Sequence, residues 1–164
     1  HNEAFTFVFK PYPVSVDYSR SFNEMIAAGK YDLVNNSDIA VDNSLVTRKK
    51  GTLDVKLYLI HLDYVATDEE VVRGLNSLGL QPAKMEHLLA FGAKYPDKQL
   101  EFPIIALGSA LIDPLGREYV SYLDSFEDVT YLDRGKPKRC LYLFSKLKAD
   151  EKWLEHCRFL AISK

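Results

Sequence analysis

The chain has 164 residues, of which 47% are hydrophobic and 27% charged, which is the composition of one globular domain. Its 21 basic and 23 acidic residues leave a net charge of −2, so bulk electrostatics gives no attraction to nucleic acid, and no local basic patch supplies one. No apolar run approaches the roughly 20 residues that cross a bilayer, so we expect neither a nucleic-acid partner nor a membrane span.

The first part of the chain predicts a strand, a short helix and a long connection. Phenylalanines alternate along residues 3–9 with the period of a strand. Ser21 and Glu24 then match a capping box, which predicts a short helix that Gly29 is placed to end. Asparagine, aspartate and serine dominate residues 35–50, so we expect a long connection there.

The middle of the chain predicts a central strand followed by two helices. Apolar residues alternate and then become continuous over 53–62, which indicates a strand that ends buried on both faces. Thr67 and Glu70 match a second capping box, and Gly79 predicts the end of that helix. Pro82 suits the first turn of the next helix. Because only a few residues separate the two helices, we expect them to flank the same sheet or the same end of the core.

The last third predicts strands and loops. Residues 104–112 and 117–123 flank the turn 113–116, in which proline and glycine occupy positions typical of a β-hairpin. A polar loop is predicted over 124–137. Two further strands are predicted after it, at 139–145 and 157–163.

This order of elements resembles that of C-type-lectin-like domains. The segment from Thr67 through Gly79 to Leu89 looks like the first helix of that family, its small turn and the start of its second helix. Residues 157–162 are similar to its terminal strand. The resemblance implies an α+β fold, with a mixed sheet, two to three helices and a long loop region. Segments 102–109 and 158–161 also resemble uncharacterised bacterial proteins.

The resemblance divides the chain into two parts. Residues 51–164 correspond to the C-type-lectin-like domain, and residues 1–50 to an N-terminal strand–helix extension packed on its core. The sequence begins His1-Asn2-Glu3, without an apolar signal segment, and export cannot be judged from that start. Between an exported and a cytoplasmic location, we favour the cytoplasmic one.

Several functional residues of the family are missing from this chain. It has no calcium-binding Glu-Pro-Asn or Gln-Pro-Asp triplet and no Trp-Asn-Asp before the last strand, so we expect no metal and no cofactor. Formylglycine-generating enzymes share the scaffold but need a closely spaced cysteine pair, whereas Cys140 and Cys157 are 17 positions apart. We expect two buried, reduced thiols, and a bridge between neighbouring strands stays the alternative.

Aromatic and charged residues between 124 and 155 form the predicted ligand site. The resemblance places the ligand face in this region, and tyrosine and tryptophan supply a large contact area with a polar group. Alternation puts Tyr119 and Tyr122 on opposite faces of their strand, so at most one of them points outward. The predicted binding residues are Phe126, Tyr131, Trp153, Asp124, Asp128 and Arg134.

We therefore expect a non-enzymatic binding module that recognises a protein or glycan partner without obligatory calcium. The alternative is a hydrolase that uses His61 with carboxylates in a cleft, although Ser109 lacks the Gly-x-Ser-x-Gly context of a nucleophile. His87 is expected on a helix surface. A third possibility is a structural protein that forms homo-oligomers by pairing its N-terminal strand with another chain.

Overall fold

The computed structural model describes residues 9–36, 49–62, 64–127, 135–146, 153 and 155–164. These residues form three α-helices and an eight-stranded mixed sheet, so the α+β class predicted from the sequence is confirmed. Apart from Phe9, the strand predicted over residues 3–9 lies outside the described residues.

The elements follow one another along the chain as strands β1 to β8 and helices α1 to α3. They are β1 (Tyr12–Asp17), α1 (Phe22–Ala28), β2 (Leu33–Asn36), β3 (Thr52–His61), α2 (Asp68–Ser77), β4 (Leu80–Pro82), α3 (Met85–Lys94), β5 (Ile104–Ile112), β6 (Glu118–Glu127), β7 (Pro137–Lys146) and β8 (Arg158–Ser163). A single 3₁₀ turn, Lys98–Leu100, lies between α3 and β5.

The sheet has the strand order β1-β3-β8-β5-β6-β7-β2, and the short β4 pairs with the second half of β8. The β5–β8 and β2–β7 pairs are parallel and the other pairs antiparallel. Strand β3 lies inside this order, as its continuous apolar sequence predicts. Strands β1 and β2, from the first part of the chain, end the order on either side. The domain division at residue 50 stays a prediction.

Two hydrophobic clusters cover the two faces of the sheet. Helices α1 and α3 pack in the first cluster, where Leu88 lies with Leu160 of β8. Helix α2 packs in the second, where Val71 lies with Phe159 of β8. The two consecutive helices therefore flank one sheet, as predicted, but on opposite faces. Strand β4 carries the chain from the face of α2 to the face of α3.

The local signals for helix starts and turns are mostly confirmed. Thr67 and Glu70 form the predicted capping box of α2, and Ser21 and Glu24 form that of α1. Gly79 has φ +77°, a conformation that favours glycine and ends α2. The prediction for Pro82 is wrong, because Pro82 pairs with Ala161 in β4 and α3 begins only at Met85.

The β5–β6 hairpin forms at the predicted turn, where Asp113 and Arg117 are joined by a backbone hydrogen bond of 2.9 Å. Strand β6 is longer than predicted. Asp124 pairs with Cys140 and Phe126 with Lys138, so the prediction of a loop is wrong for residues 124–127, which belong to β6. Pairing with β7 supplies the backbone partners that extend this strand into a polar sequence.

Candidate functional site

The structure describes half of the predicted ligand site. Three predicted binding residues lie outside the described residues: Asp128, Tyr131 and Arg134. Asp124 and Phe126, expected in a loop, lie instead on strand β6. Trp153 forms an isolated β-bridge with Ala66.

Asp124 and Phe126 share one face of β6 because they are two residues apart. Phe126 is 38% exposed, so its ring is available to a partner at the end of the strand. Burial raises the pKa of Asp124, while the Ser125 backbone N–H and the positive charge of His156 act to lower it. This charge interaction places the Asp124 carboxyl near the segment that leads into β8.

Trp153 packs into the second hydrophobic cluster. Its ring meets Tyr122 and Phe159 edge to face, with centroids 6.2 Å away in both cases. Tyr122 stacks on Tyr142 on the same face, whereas Tyr119 lies in the first cluster. The prediction that Tyr119 and Tyr122 occupy opposite faces is confirmed.

An open cleft of about 420 Å³ lies at the end of the β3–β8 pair, beside the segment that carries His156. It is lined by His61, Glu101, Phe102, Glu155, His156 and Arg158. The register of the sheet builds it, because the last residue of β3 pairs with the first residue of β8. We call this site the β3–β8 cleft.

Short contacts hold the polar groups of the β3–β8 cleft in place. The Arg158 guanidinium lies 4.3 Å from the centroid of the Phe102 ring and donates to the His156 carbonyl at 3.0 Å. His61 Nε2 lies 2.6 Å from the Glu155 carbonyl, which can only accept, so this nitrogen carries the proton. His61, the last residue of β3, is therefore hydrogen-bonded at a strand end.

These groups can bind a polar partner. A guanidinium stacked on an aromatic ring keeps a planar set of donors ready for carboxylates or hydroxyls. The two imidazoles add donors and acceptors, and the two glutamates add acceptors. The lining contains no serine, threonine or cysteine, so within the described residues the cleft offers no such nucleophile.

The structure does not bring His61 and Ser109 together. The Ser109 hydroxyl accepts from the Met85 backbone N–H at 2.8 Å, at the start of α3. Helix α3 follows β4, which pairs with the second half of β8, whereas His61 pairs with the first residue of β8. Asp63, a carboxylate two residues after His61, lies outside the described residues.

His87 is not on a helix surface, so that prediction is wrong. It is only 6% exposed, and its Nδ1 accepts from the Lys84 backbone N–H at 3.0 Å. Burial lowers its pKa, because it disfavours the charged ring. His87 lines a cavity together with Val55 of β3 and Ile162 of β8, a tertiary arrangement that single-helix periodicity does not reveal. The sequence carries one signal that His87 is buried: the apolar residues of α3 spread over more of the helix surface than a single buried stripe would cover.

The two cysteines are buried and form no disulfide. Burial raises the pKa of the Cys140 thiol, so the thiol form is favoured. Within the described residues, no three histidine, cysteine or acidic side chains are grouped to hold a metal ion.

No protein-family model, curated protein or solved structure matches this chain significantly. In the part of the chain that the structure describes, no helix is both long and apolar enough to cross a membrane.

Proposed function

We propose that the protein is a non-enzymatic binding module whose β3–β8 cleft, with the adjoining end of β6, recognises a protein or glycan partner without obligatory calcium. The observation that carries this proposal is the Arg158 guanidinium, stacked on Phe102 in an open cleft that two histidines also line. Asp124 and Phe126 extend the same region of the surface with a carboxyl group and an exposed ring.

The openness of the cleft favours recognition of a polar partner. Its polar groups are spread along an accessible surface. Hydrogen bonds and ring contacts at such a surface favour a partner that presents hydroxyls, amides or carboxylates. A glycan or an extended peptide presents these groups in series. A deep apolar cavity would instead favour a small apolar ligand.

The C-type-lectin-like scaffold is part of the same proposal. In its support, β3, α2, β4, α3 and the later strands follow the order of that family, and β8 returns to pair with β3. The late part of the chain, which carries the ligand face in that family, contributes His156 and Arg158 to the cleft.

Binding of the full chain to glycan and peptide arrays tests the proposal. Arg158→Gln removes the stacked cation, and we expect it to reduce binding to the selected probe by roughly ten- to hundredfold. His156→Ala, at an exposed position, should have a smaller effect in the same direction. Arg20→Gln, an exposed arginine outside the cleft, is the matched control and should leave binding unchanged. Equal binding by Arg158→Gln and Arg20→Gln rejects the cleft as the site.

A hydrolase is the second candidate, because the cleft brings His61 together with Glu101 and Glu155. A histidine beside two carboxylates is a residue type that general acid–base catalysis uses. Incubation of the selected glycan or peptide with the protein, followed by mass spectrometry, distinguishes the two functions. Cleavage that His61→Ala abolishes establishes the hydrolase and overturns the binding module.

The assembly function through the N-terminal strand stays a prediction. Light scattering after size-exclusion chromatography tests it, with the full chain compared with a chain that lacks residues 1–8. A change from oligomer to monomer supports pairing through this segment, and two identical masses count against it.

A further inference from the structure

A second cavity lies at the opposite end of the β3–β8 pair from the β3–β8 cleft. It has a volume of about 300 Å³ and is bounded by the start of β3, by β4 and by the first turn of α3. Its polar wall consists of Gln81 and of four titratable residues, Lys49, Lys84, Glu86 and His87. We call it the α3 cavity.

The proton position on His87 follows from its backbone contact. Nδ1 accepts the Lys84 N–H, so a neutral ring must carry its hydrogen on Nε2. Burial is the largest cause that lowers its pKa; the charges of Lys49 and Lys84 add to this, while Glu86 opposes it. The neutral imidazole is therefore a fixed hydrogen-bond donor, and it has no free nitrogen with which to act as a base.

The charged groups of the α3 cavity favour an anion. Lys49 and Lys84 contribute two positive charges and Glu86 one negative charge, so the sum over these side chains is +1. Glu86 is only 1% exposed and its Oε2 accepts from the Tyr18 hydroxyl at 3.2 Å, so this oxygen is already hydrogen-bonded within the protein. The two lysines are exposed and can turn toward an anion.

The rest of the cavity wall is largely apolar, so it favours an anion that also has an apolar part. Leu53, Val55, Pro82 and Ile162 line the cavity with apolar surface, and Leu53 remains 40% exposed at its position on β3. A ligand that covers Leu53 removes this apolar surface from water. The cavity volume lies at the small end of the ligand-pocket range of roughly 300–1,000 Å³, so the ligand is small.

We propose that the α3 cavity binds a small organic monocarboxylate, whose carboxylate meets Lys49, Lys84 and the His87 N–H while its apolar body packs on Leu53, Val55 and Ile162. This site is separate from the cleft of the proposed function, and neither proposal depends on the other. His87 donates a hydrogen bond to the carboxylate and transfers no proton to it.

Titration of the full ¹⁵N-labelled chain with benzoate, followed by NMR, tests the proposal. We expect saturable shifts at the backbone amides of Lys84 and His87 and a higher pKa of the His87 ring when the carboxylate is bound. Benzamide has the same shape without the charge and should bind at least about tenfold more weakly. Inorganic phosphate has charge without an apolar body and should also bind more weakly than benzoate.

Variants at exposed positions keep the test independent of folding. The double variant Lys49→Gln/Lys84→Gln should weaken benzoate binding by roughly ten- to hundredfold. Lys56→Gln, an exposed lysine of β3 outside the cavity, is the matched control and should bind like the unmodified chain. Unchanged binding in the double variant, equal binding of phosphate, or no shifts at all overturns the proposal.

Discussion

The indole N–H of Trp153 donates to Oδ1 of Asp68 at 2.5 Å, and this contact joins the segment before β8 to the first turn of α2. The backbones of Trp153 and Ala66 also exchange two hydrogen bonds. Asp68 shares a further hydrogen bond with the Glu118 carboxyl, which raises the pKa of Glu118 to about 7, with burial and the negative charge of Asp68 adding to the effect. The only tryptophan of the chain is therefore joined through Asp68 to Glu118, whose pKa lies near neutrality.

We predict that Trp153 fluorescence changes with a midpoint near pH 7 and that Glu118→Gln abolishes this transition. Because the pKa of Glu118 is raised from its usual 4.5 to about 7, the folded protein keeps a proton that the unfolded chain has lost. The free energy of unfolding therefore falls as the pH rises from 4.5 through 7. After allowance for solvent screening, this loss is roughly 1–2 kcal/mol.

Glutamine at position 118 can still donate to Asp68, so the variant should fold and lack this part of the pH dependence. Glu69→Gln changes an exposed carboxylate one residue from Asp68 and should keep the transition. Urea unfolding at pH 5 and pH 8 measures the stability difference for both variants. A transition near pH 7 that persists in Glu118→Gln shows that another group is responsible.

The Arg139 side chain is predicted to be a major source of stability. Its guanidinium donates to the carbonyls of Gly29 at 2.5 Å, Gly92 at 2.7 Å and Pro96 at 3.0 Å, and it lies 4.7 Å from the centroid of the Tyr31 ring. Arg139→Met leaves these acceptors without their donor and should lower the free energy of unfolding by roughly 3 kcal/mol. Urea denaturation gives this value directly.

Arg139→Lys tests the geometry of that contact. A lysine ammonium cannot reproduce the planar set of donors, so we expect it to recover only part of the loss. Arg117→Met is the matched control, because Arg117 forms an ion pair with Asp113 at the protein surface, and its loss should cost much less than that of Arg139. Similar losses at positions 139 and 117 contradict the predicted role of Arg139.

Features encoded by neighbouring residues were predictable from the sequence. The capping box at Thr67 and Glu70 and the hairpin turn after Ile112 depend on residues within a few positions of each other. Strand β4 was not predictable in this way. It is three residues long and exists because β8 supplies its partner, so Pro82 suggested a helix start instead. Pairing between distant segments also explains why β6 extends through Phe126.

The β3–β8 cleft shows the same limit. His61 and Arg158 become neighbours only through the register of β3 and β8, and neither residue has a motif around it. The resemblance to C-type-lectin-like domains predicted a ligand site between residues 124 and 155, which ends just before His156 and Arg158. The α3 cavity was missed, because His87 becomes buried only when α3 packs against the sheet.

Two glycines provide a paired test of the packing around β4. The Gly108 N–H donates to the Ala83 carbonyl at 2.8 Å, and an added Cβ would lie 2.5 Å from that oxygen. Gly108→Ala should therefore cost roughly 2 kcal/mol, because the backbone of β4 must move. Gly74 lies in α2 with 3.9 Å to the nearest side-chain atom, so Gly74→Ala should stabilise the protein by about 0.5–1 kcal/mol. If thermal unfolding shows that the two variants change the stability of the protein in the same direction, this account is contradicted.

The thiols of Cys140 and Cys157 are predicted to be unreactive in the folded protein and free in the unfolded one. Both are buried, and burial raises the pKa of Cys140, which reduces its reactive thiolate form. Without reductant, Ellman's reagent should react slowly with the native chain and titrate two thiols in urea. Cys140→Ser and Cys157→Ser should each leave one reactive thiol in urea, which assigns the signals. If the unmodified chain releases no thiol in urea while each single variant releases one, the two cysteines are bridged and the buried-thiol arrangement is wrong.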